Sequence, residues 1–201
     1  KPLDMVDTCL CMGADVTIAQ GLHIIEPDAV NFAFIGDSTF FASGITGVVN
    51  AVYNQTDIVL IVLDNSTTAM TGHQPHPGTG RTMMGEIVEN ILRGIGLTWI
   101  ETVDPLNLEL AADTVKRAAK EKGVRAVIFK SPCIAVAKPG KLYEVKQESC
   151  TKCKVCISQL GCPAITVNGG EIVVEPSLCY GCGLCSQVCP SGAIGEVESD
   201  E

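Results

Sequence analysis

The sequence predicts an α/β protein: a parallel sheet covered by helices on both faces, followed by a small cysteine-dense α+β module. Three observations predict it. Short apolar runs alternate with helix-period stretches through the first two-thirds of the 201 residues, the pattern of strands buried on both sides. Eight of the eleven cysteines crowd into residues 150–189. Between the two regions "AKPGK" (137–141) reads as a linker, so the expected domains are 1–137 and 138–201.

The elements follow in order. "VNFAFI" (30–35) reads as a buried strand ending at Gly36-Asp37. "SGITGVVNAVYN" (43–54) places Ile45, Val48, Val49 and Val52 on one helical face. "DIVLIVLD" (57–64) is a second buried strand running into a polar loop. A helix is expected from about Gly85 to Arg93, with Met83 and Met84 packing at its start, and then a strand, "TWIETV" (98–103). Asp104-Pro105 opens a further helix through Lys122, with Asp104 as cap, and Gly123 ends it before the strand "VRAVIFK" (124–130). In the second region "AITVNGGEIVVE" (164–175) reads as two short strands around an Asn-Gly turn. A core this thin calls for staples.

Hydrophobic residues make up 46% and charged residues 18%, the balance of a globular chain. The net charge of −9 opposes a nucleic-acid footprint. "IVLIVL" (58–63) is strand-sized, too short for a bilayer, and the first residues lack the basic-then-apolar order of a leader. With cysteines spaced for metal rather than for disulfides, the expectation is a reducing, oxygen-poor cytoplasm with no membrane and no nucleic-acid partner. The chain opens as if inside a domain, so it is expected to be a carboxy-terminal portion of something longer or one subunit of a complex.

The second cysteine run, Cys179-x2-Cys182-x2-Cys185-x3-Cys189-Pro190, has the spacing of bacterial ferredoxins, in which the fourth cysteine serves the other [4Fe–4S] cluster. The first run, Cys150, Cys153, Cys156 and Cys162-Pro163, repeats the triplet 29 residues earlier but holds five residues before its last cysteine. One cluster is therefore assigned to Cys150, Cys153, Cys156 and Cys189, and the other to Cys162, Cys179, Cys182 and Cys185. Soft thiolates suit iron. A pair of zinc knuckles is the alternative, but zinc would not demand the triplets. Cys9, Cys11 and Cys133 fall outside the pattern and read as small buried residues rather than ligands, although the Gly-containing segment of Cys9 and Cys11 could line a site.

The first strand runs into "GDSTFF" and the second into "LDNSTTAMTGHQ", so Asp37 and Asn65 top two strands of one expected sheet. Ligands bind at such strand ends in open α/β sheets. A carboxylate and an amide oxygen converging there suit Mg²⁺ with phosphate in the remaining positions, and the helix after Gly36 would face the same anion. Ordinary turn chemistry is the competing account of Gly-Asp and Asp-Asn.

Gly-Asp followed some two dozen residues later by Asp-Asn resembles the thiamine diphosphate motif, with Ser38 where the motif usually has glycine. "GDSTFFASGITGVVNAVYN", "DNSTTAMTGHQPHPGTG" and the two-cluster ferredoxin module together resemble the thiamine diphosphate-dependent 2-oxoacid:ferredoxin oxidoreductase family. Within it, the likeness is to the large (alpha) subunits of the indolepyruvate branch, over essentially the whole chain.

The resemblance implies a thiamine diphosphate-binding fold. It implies Mg²⁺ held by the side chains of Asp37 and Asn65 and the backbone oxygen of Thr67, with Gly36, Ser38 and Gly72 against the diphosphate. His73 and His76 could help to bind substrate or cofactor, or could be solvated loop residues. The implied reaction is oxidative decarboxylation of an aryl 2-oxo acid to an arylacetyl-CoA, with coenzyme A as co-substrate and electrons leaving to an external ferredoxin. The remainder of the alpha subunit, a smaller beta subunit and a thiamine-activating glutamate outside this chain complete the implied assembly. The alternatives are the same reaction on pyruvate, 2-oxoglutarate or branched-chain 2-oxo acids, or a non-catalytic ferredoxin-type electron-transfer subunit.

Overall fold

Residues 5–79 and 87–197 are described by a computed structural model of the chain. Met83, Met84 and Gly85 lie outside the described residues. The chain divides into two compact units, Thr8–Val136 and a second built around the segment after Val136.

The first unit is a four-stranded parallel sheet. β1 (Asn31–Gly36), β2 (Ile58–Asp64), β3 (Ile100–Val103) and β4 (Val124–Lys130) lie in the order β1-β2-β4-β3. β2 is central, and every residue from Ile58 to Val62 is fully buried. Alternation along the strand sends Ile58, Leu60 and Val62 into one core and Val59 and Ile61 into another. Each such side chain contributes about 1.5–3 kcal/mol of burial.

The larger core is closed by α1 (Asp15–Ile25), α3 (Ile45–Tyr53) and α4 (Ile87–Ile95), through Val16, Ala19, Val48, Ala51, Val88 and Leu92. Val49, expected on the buried face, is half exposed; Ala51 takes that place. The opposite core is closed by α5 (Leu108–Ala118), with Ala118 against Val59, Ile61 and Val127. This helix begins later than expected. Asn107, not Asp104, caps it by accepting the Leu110 N–H (3.2 Å), while Asp104 closes a preceding turn on Leu106 N–H (2.8 Å).

At the start of β2, Asp57 bonds to Arg125 of β4, whose side chain is almost wholly buried and also donates to the Ala118 carbonyl (2.8 Å). Lys122 pairs with the same carboxylate at 3.0 Å. Burial pushes the Asp57 carboxyl up, but Lys122 and Arg125 outweigh it and hold it below the usual carboxylate range.

The second unit pairs β5 (Tyr143–Val145) antiparallel with β8 (Ile194–Glu196), and β6 (Ile165–Asn168) with β7 (Glu171–Val174). The β6–β7 turn is Gly169-Gly170, both at positive φ, so Asn168 is the last paired residue rather than a turn centre. Two short helices, α6 (Val155–Leu160) and α7 (Leu184–Val188), each hold the third cysteine of a triplet, Cys156 and Cys185.

Here the 29-residue repeat has a backbone signature. Lys152 and Gly181 share positive φ (56° and 77°), as do Lys154 and Gly183 (61° and 75°). Left-handed backbone suits glycine and costs other residues about 1–2 kcal/mol.

Candidate functional site

The parallel register pairs Gly36 with Leu63, so Asp37 follows one strand tip and Asp64-Asn65 end the next. The chain turns directly from β1 into helix: α2 (Asp37–Thr39), a π-helical turn (Phe40–Gly44), then α3. Asp37 is thereby fixed at the first helical position, 2% exposed. Its Oδ1 accepts the Ser38 N–H (2.8 Å), and its Oδ2 accepts the Ser66 N–H (2.8 Å) across the strand gap. Ser66 reaches this position through a left-handed backbone, φ 60°. Ser38, standing where the motif usually has glycine, links its hydroxyl to that of Thr68 (2.8 Å) and ties the two loops together.

Asn65 Oδ1 accepts the Thr67 N–H (3.1 Å), and Thr67 is buried. Two further bonds extend the ladder beyond β4: Ser131 N–H to the Asp64 carbonyl and Cys133 N–H to that of Asn65, both 3.0 Å. Gly72 ends a short 3-10 turn, Ala69–Thr71, in the left-handed conformation (φ 113°).

The two loop histidines part company. His73 is exposed at positive φ, on the turn whose N–H donates to the Thr68 carbonyl. His76 is buried: its side chain is 6% exposed and Nε2 lies 3.1 Å from Asp37 Oδ2. Nδ1 accepts the Gly78 N–H (3.1 Å), so the ring proton sits on Nε2 and is donated to the carboxylate. Phe41 packs against the ring, centroids 5.7 Å apart. Gly78 leaves the ring its space, since a Cβ there would lie 2.6 Å from Phe41 and 2.9 Å from His76.

Burial pushes the Asp37 carboxyl up from its ordinary value, and neighbouring Asp64 pushes the same way, against the Ser38 N–H and His76. A carboxylate offers about four lone-pair positions, and the protein fills three of those on Asp37. Asp37 is thus a buried carboxylate held by three donors beside a second acid, Asp64. Hard cations with oxygen ligands suit such a place.

In the second unit one cavity is lined by Cys150, Cys153, Cys156 and Cys189, with Val145 and Ile194 beside them. It brings the first triplet together with the last cysteine of the second run. Among the described residues no three His, Cys, Asp or Glu side chains close on a single ion.

The thiols differ. Val155 N–H and the Thr151 hydroxyl hold Cys153 below the usual range. Burial pushes Cys189 up, but Ser191 and the Ala193 N–H (3.3 Å to Sγ) outweigh it. Burial pushes Cys156 up, and Cys185 to about 11, the latter helped by Cys182 and Cys179. Cys162 and Cys185 share one apolar cluster with Ile165 and Ile172. Outside the pattern, Cys9 and Cys11 are exposed and Cys133 half-exposed, contrary to the expectation that they pack inside.

Residues 1–129 match the family model for the thiamine pyrophosphate enzyme C-terminal TPP binding domain. The chain belongs to the thiamine pyrophosphate enzyme family. Residues 172–195 of this family member also match the 4Fe-4S binding domain. Its whole length is 43% identical to indolepyruvate oxidoreductase subunit IorA of Archaeoglobus fulgidus, covering 34% of that protein. It is 37% identical, again over all of this chain, to the subunit of the same name from Pyrococcus horikoshii, covering 35% of it. The chain thus spans about a third of the length of these curated relatives.

Among solved structures, a 2-oxoglutarate:ferredoxin oxidoreductase of Magnetococcus marinus matches 63% of this chain and 47% of its own, with a TM-score of 0.54 at 18% identity. That likeness concerns the fold of this thiamine-enzyme domain. Among the described residues no helix is long and apolar enough to cross a membrane.

Proposed function

We propose that this chain is the thiamine diphosphate- and iron–sulfur-bearing portion of a 2-oxoacid:ferredoxin oxidoreductase acting on aryl 2-oxo acids of the indolepyruvate type. The observation that carries the reading is buried Asp37, fixed at one of two adjacent parallel strand tips beside Asp64-Asn65, in a chain that also has four cysteines lining one cavity. The whole-length likeness to two subunits named for indolepyruvate supports the aryl substrate.

The residues present fit the cofactor pair. The Asp37 carboxylate, Asn65 Oδ1 and the Thr67 carbonyl, all oxygen donors, are the groups that would hold Mg²⁺. Gly36, Ser38 and Gly72 lie along the diphosphate. Thiamine diphosphate, when bound, supplies the carbanion-stabilising chemistry that a 2-oxo acid needs to lose CO₂. The chain's part is to hold and orient it. Asp37 is locked by two backbone N–H groups and by His76, so the carboxylate meets the metal without searching for a rotamer.

Cys150, Cys153, Cys156 and Cys189 hold one [4Fe–4S] cluster, and Cys162, Cys179, Cys182 and Cys185 a second. The two C-x-x-C-x-x-C triplets favour cubes over zinc ions, which need only four ligands per site and would not demand them. Clusters held by these cysteines would supply one-electron transfer toward an external ferredoxin in a reducing, oxygen-poor cytoplasm, with coenzyme A as the acyl acceptor. The rest of the alpha subunit, which supplies the thiamine-activating glutamate, and a smaller beta subunit complete the enzyme.

The test is coenzyme A-dependent viologen reduction by the assembled complex over a panel of 2-oxo acids. Indolepyruvate turns over fastest under this reading. Faster turnover of pyruvate or 2-oxoglutarate removes the aryl assignment, and no turnover with any of them removes the reaction class.

A further inference from the structure

The two halves of the cysteine unit share a backbone but differ in what they show to solvent. At 181 and 183 glycine is dictated by contact. A Cβ on Gly181 would stand 2.5 Å from the Lys141 carbonyl oxygen and 2.7 Å from the Gly140 carbonyl carbon, and one on Gly183 2.9 Å from the Tyr143 hydroxyl. Gly183 is accordingly buried. The equivalent positions of the first half, Lys152 and Lys154, have the same left-handed backbone and no such cover. Thr151, Lys152, Cys153 and Lys154 form an unbroken exposed run.

Glycine would suit that backbone better than lysine does, yet lysine stands at both positions. Strained residues of this kind cluster where function requires the side chain. Neither ammonium group is held in an ion pair among the described residues. They are also the only charged residues between Cys150 and Cys162, whereas Cys179–Cys189 has none. On a chain of net charge −9, two exposed lysines thus flank an exposed cysteine that lines the cavity.

We infer that the 151–154 loop is the docking surface for an acidic electron-carrier protein, with Lys152 and Lys154 as its charge-complementary contact. The inference rests on the reading that Cys150, Cys153, Cys156 and Cys189 hold a cluster. An acidic carrier is repelled by the chain as a whole, so a two-lysine spot at the cluster's exposed edge both steers it and fixes where it lands. One electron leaves through this loop: the centre behind it is oxidised by one, the carrier's oxidised centre is reduced by one, and no bond or proton moves.

The experiment uses the cluster-loaded full-length complex, its iron content measured first, reduced stoichiometrically with dithionite. Stopped-flow mixing then gives rates to an acidic two-cluster ferredoxin and to a small uncharged quinone, over a range of salt. In the K152Q/K154Q double variant the ratio of ferredoxin to quinone rates falls about tenfold at low salt and its salt dependence flattens. K152R/K154R restores both. K152G/K154G, which relieves the backbone, loses the ratio as the glutamine variant does. An unchanged ratio in the glutamine variant overturns the docking surface, as does a loss that the arginine variant fails to restore. Absence of iron overturns the cluster reading itself, and because dithionite replaces the 2-oxo acid, a failed thiamine assignment leaves the docking result standing.

Discussion

Replacing His76 tests the strand-tip site at its least obvious member. His76 donates Nε2–H to Asp37 at 3.1 Å, and its own orientation is set by the Gly78 N–H and the Phe41 ring. A hydrogen bond to a charged group contributes about 1.5–3 kcal/mol, which is roughly a 10- to 100-fold effect on any equilibrium that needs the carboxylate ionised and in place. His76→Ala removes that donor and leaves the two backbone N–H bonds to Asp37 intact. The carboxylate, already pushed up by burial and by Asp64, then binds a proton more readily and a cation less well. The expected outcome is a 10- to 100-fold weaker affinity for Mn²⁺ (replacing Mg²⁺) with thiamine diphosphate, read by titration calorimetry on the cluster-loaded complex, with iron content unchanged. His76→Gln, whose amide can donate to Asp37, recovers much of the loss. Equal affinity in His76→Ala and the parent protein, or equal loss in the Ala and Gln variants, would refute the positioning role.

Asp37→Ala itself abolishes retention of thiamine diphosphate through gel filtration while leaving the iron absorbance in place. Asp57→Asn strands buried Arg125 and costs about 3 kcal/mol in chemical denaturation at pH 7. Because the Asp57 carboxyl is held low in the folded state, its contribution is full above its unfolded pKa of about 3.9 and is lost as pH falls through the lower folded value. The parent's advantage over the variant therefore shrinks only below about pH 4. The repeat gives a paired test: Gly181→Ala places a Cβ within 2.5–2.8 Å of backbone at 140–141 and impairs cluster loading, whereas Lys152→Gly relieves a left-handed lysine and raises stability by about 1 kcal/mol.

Strands β2 and β4 were legible because residues buried on both faces leave unbroken apolar runs such as "IVLIVL"; β1, expected to be buried, is an edge strand that leaves Phe34 exposed. Helix α1 was not. "DVTIAQGLHII" mixes β-branched residues with Gly21 and buries only Val16, Ala19 and Gln20, so its periodicity is faint. Helical periodicity places the start of the helix after β1 at residue 43. It starts at Asp37, and no local signal announces the π-helical turn that joins the two parts. β5 and β8 are three residues each and pair across some fifty residues, a match that only the folded cysteine unit enforces.

At the site, Asp37 and Asn65 stood out as motif residues, and the strand register brings their loops together. The role of His76 was hidden by the 39 residues between it and Asp37 and by a ring orientation that depends on Gly78. Only the backbone exposes the contrast of Lys152 and Lys154 with Gly181 and Gly183, although the 29-residue repeat had aligned them.

The most direct test of the whole account is a composition measurement on the anaerobically purified holo-complex: iron, acid-labile sulfide, zinc and thiamine diphosphate per chain. Two cubes and one coenzyme predict about eight iron and eight sulfide, one thiamine diphosphate and no stoichiometric zinc. Stoichiometric zinc without sulfide, or a full iron complement with no thiamine diphosphate, would contradict it.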